Sequence, residues 1–200
     1  MPASKVQALP FFHAFTGCDV TSFFAGRGKK SAWDTWQAFP DVTEAFLSLS
    51  LVQCKLTDGS FALTERFVVL WYDRTSELSS VNEARQHMFS RKSKSLDGIP
   101  PTQAALKQHI LRSYCQGGHV WGQSLEKDPK LLSPSLFGWQ WDEGSSRWLP
   151  KWTTLQQAHE MCYELIQCNC KKSCRGLCKC NKGQISCTAL CNCEGNCFQE

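Results

Sequence analysis

The apolar positions of this chain recur mostly at helical spacing. An apolar run, PFFHAF, ends at Gly17-Cys18-Asp19, and a helix is expected to begin just after Gly28. Thr35 to Leu51 predicts two short helices broken at Pro40, with Asp41 as the likeliest N-cap of the second. Phe61, Leu63, Phe67, Val68, Leu70 and Trp71 crowd one segment and predict a buried helix. Val81 to Arg91 predicts a polar helix, and Arg91 to Asp97 (RKSKSLD) a basic linker closed by Gly98 and Pro100-Pro101. Thr102 to Cys115 predicts an amphipathic helix with Ala105, Leu106, His109 and Ile110 turned inward and Gly117-Gly118 at its end.

The helical spacing lapses over residues 137–152, FGWQWDEGSSRWLPKW. Trp139 and Trp141 alternate, Asp142 to Ser146 make a turn and Trp148 follows, which predicts a small hairpin. Its rings have two uses open to them: packing on the helices, or stacking bases. Only Arg147 and Lys151 accompany the rings, so packing is the expectation. Thr154 and Gln157 then form a capping-box pattern, and Leu155, Ala158, Met161, Cys162 and Leu165 share one helix face. That helix runs straight into Cys168, which predicts that the cysteine-rich end docks on the body.

Composition adds limits. Two hundred residues, 42% of them apolar, suffice for a real core. The N-terminus carries no secretory pattern, and no stretch approaches the roughly 20 apolar residues of a membrane helix. The expectation is an intracellular protein with reduced thiols and no membrane partner. The formal net charge of +4 says little, but Arg85, Arg91, Lys92, Lys94, Lys107 and Arg112 face the single acid Asp97. Such a run is either a solvated surface or a nucleic-acid footprint. His13 reads as a core or strand-end residue; His109 and His119 read as core or surface residues, with no third partner at metal spacing.

The cysteines carry the strongest chemical signal. Cys18, Cys54, Cys115 and Cys162 stand alone and read as small core residues. The other nine follow C-x-C-x3-C-x3-C-x-C-x6-C-x3-C-x-C-x3-C, from Cys168 to Cys197. A disulfide knot is one reading, but nine is odd and a secretory signal is missing. Zinc is the favoured one. Three tetrahedral zinc ions need twelve ligand positions, which nine thiolates supply if three of them bridge. Cys168, Cys170, Cys174, Cys178, Cys180, Cys187, Cys191, Cys193 and Cys197 are the expected ligands of about three structural ions. Lys171, Lys172, Arg175, Lys179 and Lys182 would offset the cluster's negative charge. The nine cysteines resemble the CXC domain of tesmin-like and chromatin proteins. Some gaps differ by one residue, and Leu177 stands where DNA-reading members often carry a tyrosine, so the resemblance implies the cluster but not that tyrosine's minor-groove contact.

A second motif lies near the start. Gly17-Cys18-Asp19 is followed, six residues on, by Gly26-x-Gly28-x-Lys30-x-Ala32. Two glycines ahead of a helix leave backbone N–H groups open to phosphates, and Lys29 and Lys30 add charge. This arrangement resembles flap endonucleases and their PIN-like relatives over Gly17 to Ala32. The resemblance implies that Asp19 is a metal carboxylate. It also implies that Gly26, Gly28, Lys29 and Lys30 form a helix–hairpin–helix turn on the DNA backbone, with magnesium or potassium as possible ions there. A two-metal site needs several carboxylates, and none precedes Asp19. The chain therefore looks like the C-terminal part of a nuclease-like protein, similar to mobile-element proteins that join such a motif to a CXC cluster.

The expected fold is mainly α: a helix–hairpin–helix region (1–52), a helical body with a basic linker (53–118), a Trp-rich hairpin and connecting helix (119–167), and an irregular zinc module (168–197). The expected function is nucleic-acid binding, with duplex DNA as the partner, in the nucleus and without catalysis. A nuclease half lacking its other carboxylates and a zinc-stabilised protein-interaction module are the alternatives.

Overall fold

A computed structural model describes residues 2–53, 55–90, 98–153, 168, 170, 178–182, 187 and 191–193. The chain forms two compact units, residues 1–153 and 154–200. The first is built from seven α-helices: α1 (Ala3–Gln7), α2 (Leu9–Phe15), α3 (Lys29–Ala38), α4 (Val42–Ser48), α5 (Asp58–Tyr72), α6 (Val81–Ser90) and α7 (Gln103–Tyr114). A π-helical turn (Cys115–Val120), two 3-10 turns and a hairpin of β1 (Trp139–Asp142) and β2 (Arg147–Pro150) follow. The mainly α expectation holds. Within the second unit the described residues include one short helix, α8 (Lys179–Lys182).

Aromatic side chains fill the core of the first unit. Phe11 and Phe15 from α2, Trp36 from α3, Phe46 from α4 and Phe67 from α5 are fully buried, with Leu106 and Ile110 from α7 against them. Tilted and edge-on ring contacts of 4.8–6.3 Å run through Phe12, Phe15, Trp36, Phe46, Phe67 and Trp71. Such pairs add to the area they bury.

Local sequence accounts for most boundaries. Pro40 separates α3 from α4 because its ring disfavours helical backbone at Phe39, which is extended at φ −127°. Asp41 does not cap α4 with its side chain; its own backbone is already helical, so the carboxylate is not placed to reach back over the first turn. α5 starts at a capping box in which Thr57 Oγ1 accepts from Ser60 N and Ser60 Oγ accepts from Thr57 N, at 3.1 and 3.0 Å. α7 is capped by Thr102 and turns Leu106, His109 and Ile110 inward as its spacing predicts, with Ala105 only half-buried. The linker 91–97 and the helix expected over 154–167 lie outside the described residues.

Gly117 and Gly118 do not end α7. The chain continues through them as the π-helical turn, because both glycines are contact points. A Cβ on Gly117 would lie 2.7 Å from the Pro10 carbonyl oxygen, and one on Gly118 would lie 2.6 Å from that of Leu49. Only glycine lets the backbone approach so closely.

A buried carboxylate ties three helices together. Glu65 on α5 accepts from Val81 N at the start of α6 and from Gln103 Nε2 at the start of α7, both at 2.9 Å. Negative charge is favoured at a helix N-terminus, where the first N–H groups lack partners. The sequence pattern placed Glu65 inside a helix but held no signal for this role.

Candidate functional site

The cysteine cluster is the chemically strongest feature. Cys168, Cys178, Cys180 and Cys191 are buried, and Cys170, Cys187 and Cys193 are half-buried against them. Among the described residues, no two of the seven are joined to each other by a disulfide. Their sulfurs form two groups of four: Cys168, Cys178, Cys180 and Cys187, and Cys168, Cys187, Cys191 and Cys193. Separations of 3.9 Å for Cys168–Cys187, 3.8 Å for Cys168–Cys193 and 3.7 Å for Cys180–Cys191 far exceed a sulfur–sulfur bond. The first two, each within one group, match the edge of a tetrahedron around zinc, about 3.8 Å for a Zn–S bond of about 2.3 Å, whereas Cys180 and Cys191 belong to different groups. The donor set therefore fits zinc.

The two C-x-C pairs 178/180 and 191/193 each place both sulfurs in one group. The pair 168/170 is divided: Cys168 belongs to both groups, and Cys170 packs beside them. The backbone closes the arrangement, with Asn192 N donating to Cys168 O at 3.0 Å and Cys168 N to Cys191 Sγ at 3.4 Å. Burial, with the hydrogen bond to Cys191 next, pushes the metal-free Cys180 thiol up to about 12. A cation is what turns so buried a thiol into a thiolate ligand. Cys174 and Cys197 lie outside the described residues, as do Lys171, Lys172 and Arg175.

At the glycine motif, α2 and α3 are joined by a long loop, residues 16–28, rather than by a tight hairpin. The loop is anchored from within. Thr21 Oγ1 donates to Ala14 O, Cys18 and Thr21 form an isolated bridge, and Phe24 is buried against Phe15, Trp71 and His109. Gly26 takes a left-handed φ of 66°, and Gly28 stands as the extended N-cap of α3. A Cβ at either would meet no protein atom within 4 Å, so both glycines border open space.

The two lysines divide in role. Lys29 Nζ folds back on the end of α2 and donates to His13 O, Thr16 Oγ1 and Gly17 O at 2.9, 2.9 and 2.6 Å. It clasps the loop to the last carbonyls of that helix, where positive charge is favoured. Lys30 points to solvent, 91% exposed, and pairs at 3.1 Å with Asp34. Asp19 is exposed, and among the described residues no group of metal-binding side chains includes it. His13 is an exposed residue beside Trp121 rather than a core one, because it lies on the outer side of α2.

The hairpin departs from the packing expected of it. Trp139 is half-buried against the core, but Trp141 is 51%, Trp148 38% and Trp152 73% exposed. Two strands bury only what lies at their root, and the outer rings reach past the helices. His109 and His119 are buried and hydrogen-bonded, as read from the sequence. Compared with protein-family models, curated proteins and solved structures, the chain finds no match.

Proposed function

We propose that this chain is a structural zinc-cluster protein that binds duplex DNA without cleaving it. The observation that carries the reading is the pair of close four-sulfur groups sharing Cys168 and Cys187. In this reading the shared sulfurs are thiolates that bridge more than one ion. A third ion would take Cys170, Cys174 and Cys197 with one further shared sulfur. That arrangement uses twelve ligand positions and three bridges, the count nine cysteines allow for three zinc ions. The resemblance to CXC domains supports this cluster and, with it, a nuclear place of action.

The duplex would meet the glycine turn. Gly26 and Gly28 leave the approach to α3 free of side chains, and the first-turn N–H groups of α3 lack helix partners. Lys30 supplies an exposed cation, and the Lys29 clasp holds the loop in shape. Contacts of this kind position phosphates and read no bases, so sequence preference is weak. Asp19 alone offers too few carboxylates for two-metal hydrolysis.

Metal analysis of the intact protein should find about three zinc ions per chain. Binding titrations at two salt concentrations should show salt-sensitive affinity for duplex DNA, weakened in Gly28→Val and Lys30→Ala. Magnesium should produce no cleavage. A zinc-free protein with its cysteines paired would sink the metal reading, and absence of DNA binding at low salt would leave an interaction module. Magnesium-dependent cleavage abolished by Asp19→Asn would replace the proposal with the nuclease reading.

A further inference from the structure

We propose that the cavity between α1, α3 and α4 is a binding site for a small organic carboxylate, with Lys5 as the group that receives the anion. The site shares no residue with the cysteine cluster or the glycine turn.

Lys5 lies on α1 and is only 7% exposed, with its ammonium 5.4 Å from the centre of the Trp33 ring and 4.9 Å from that of Trp36. Its Nζ donates to Gln37 Oε1 at 3.1 Å. Two ring faces and one amide oxygen offset part of what burying a full charge costs. Among the described residues no carboxylate pairs with it; the ion pairs there join Lys30 and Arg74 to Asp34. Burial lowers its pKa, as expected of a cation short of counter-charge. A buried ammonium in that position is completed by an anion.

The residue borders a cavity of about 520 Å³. Trp33, Pro2 and Pro40 give that cavity flat apolar walls. Its polar lining is Lys5, Gln37, Thr43 and Ser4, with no acid among them. The Gln37 amide turns its oxygen to Lys5, because an ammonium has only donors, and so keeps its NH2 group for another partner. Thr43 Oγ1 accepts from Trp36 Nε1 at 2.9 Å, which leaves its hydroxyl hydrogen to donate. Ser4 adds a second, exposed hydroxyl.

Donors gathered around one cation complement a single negative charge on oxygen, and a carboxylate accepts several such bonds at once. Indole and proline faces call for an apolar group behind that charge, and the volume lies in the range of small-molecule sites. A phosphate dianion would bring twice the charge to one ammonium and leave the apolar walls unused. A cationic ligand would meet Lys5 as a like charge, and a neutral amide would leave the ammonium without its counter-charge.

The test is a calorimetric titration of the intact protein with sodium phenylacetate, phenylacetamide and inorganic phosphate. Phenylacetate should bind saturably at one site and more tightly than either of the others. Lys5→Met, which keeps an apolar stem over the rings, should weaken that binding by about tenfold or more, the worth of a charged hydrogen bond. A thermal melt checks that this variant is folded. A second measurement needs no variant. Reductive methylation of the parent, read by mass spectrometry, should modify Lys5 more slowly when phenylacetate is present, while the exposed Lys30 reacts as before. The proposal is overturned if phenylacetate saturates no site, if the amide or phosphate binds as tightly, if folded Lys5→Met binds like the parent, or if phenylacetate leaves the rate at Lys5 unchanged.

Discussion

His109 shows how much one buried side chain decides. Its Nε2 lies 2.8 Å from the Phe15 carbonyl oxygen and its Nδ1 3.2 Å from Ser22 Oγ, with the Phe15 and Phe24 rings against it. Burial, with the Arg112 charge adding, lowers its pKa to about 4, although the bond to Phe15 opposes this. The unfolded chain binds this proton near the ordinary value of 6.5, whereas the folded chain resists it down to about 4. Stability contributed by the neutral ring is therefore complete above that ordinary value and falls as pH drops through the window, by up to ~3 kcal/mol. All eight tryptophans lie between Trp33 and Trp152, so their fluorescence follows residues 1–153. Urea midpoints read by that signal should fall from pH 7 to pH 4.5, and less so in His109→Gln. Equal slopes in both proteins would remove His109 from the account. At the same scale, Lys29→Ala should destabilise by ~1 kcal/mol or more through the lost charged hydrogen bonds. Lys30→Ala should change stability by less than about 0.5 kcal/mol. Thermal melts of the two variants give the comparison.

Between elements, the contacts that matter are made by groups whose spacing carries no periodic signal. Glu65 joins the starts of α6 and α7, so Glu65→Ala leaves the Val81 amide and Gln103 without their shared acceptor. A loss of ~2 kcal/mol is expected, with less in Glu65→Gln, which keeps one acceptor oxygen. Denaturant unfolding at fixed pH measures both. Gly118→Ala should cost ~1–3 kcal/mol by overpacking against Leu49. Gly59→Ala, in the first turn of α5 with its nearest neighbour 4.0 Å away, should be neutral or slightly stabilising. If Gly118→Ala melts with the parent, the close approach of the π-helical turn to Leu49 does not exist in solution.

For the whole molecule, the two units draw on different sources of stability. Residues 1–153 close around an aromatic core. The described part of residues 154–200 has a core made only of cysteines. Where thiolates are the core, metal-binding free energy is folding free energy. A strong chelator should make all nine cysteines from Cys168 to Cys197 reactive to a thiol reagent. It should also open that segment to protease while a fragment spanning the aromatic core resists digestion. Mass spectrometry of the digest reads both effects. Equal loss of resistance along the chain would show that the metal holds the whole molecule together.

What the sequence determined by itself was local and periodic. Apolar spacing marked α5 and α7, Pro40 marked a break, Trp alternation marked the hairpin, and the dense run of cysteines marked a single sulfur cluster. Each signal acts through neighbours a few residues apart, so chain order alone carries it. The tertiary structure decided the rest. It turned Lys29 inward and left Lys30 outside, although the two are adjacent, because the end of α2 lies within reach of only one. It kept Trp141 and Trp148 in water because a two-stranded hairpin reaches beyond the helices that cover Trp139. It carried the chain through Gly117 and Gly118 because Pro10 and Leu49 come against them from distant parts of the sequence. It placed Cys168 and Cys187 in both sulfur groups, a choice that nine similar side chains leave open until the backbone folds them around common centres.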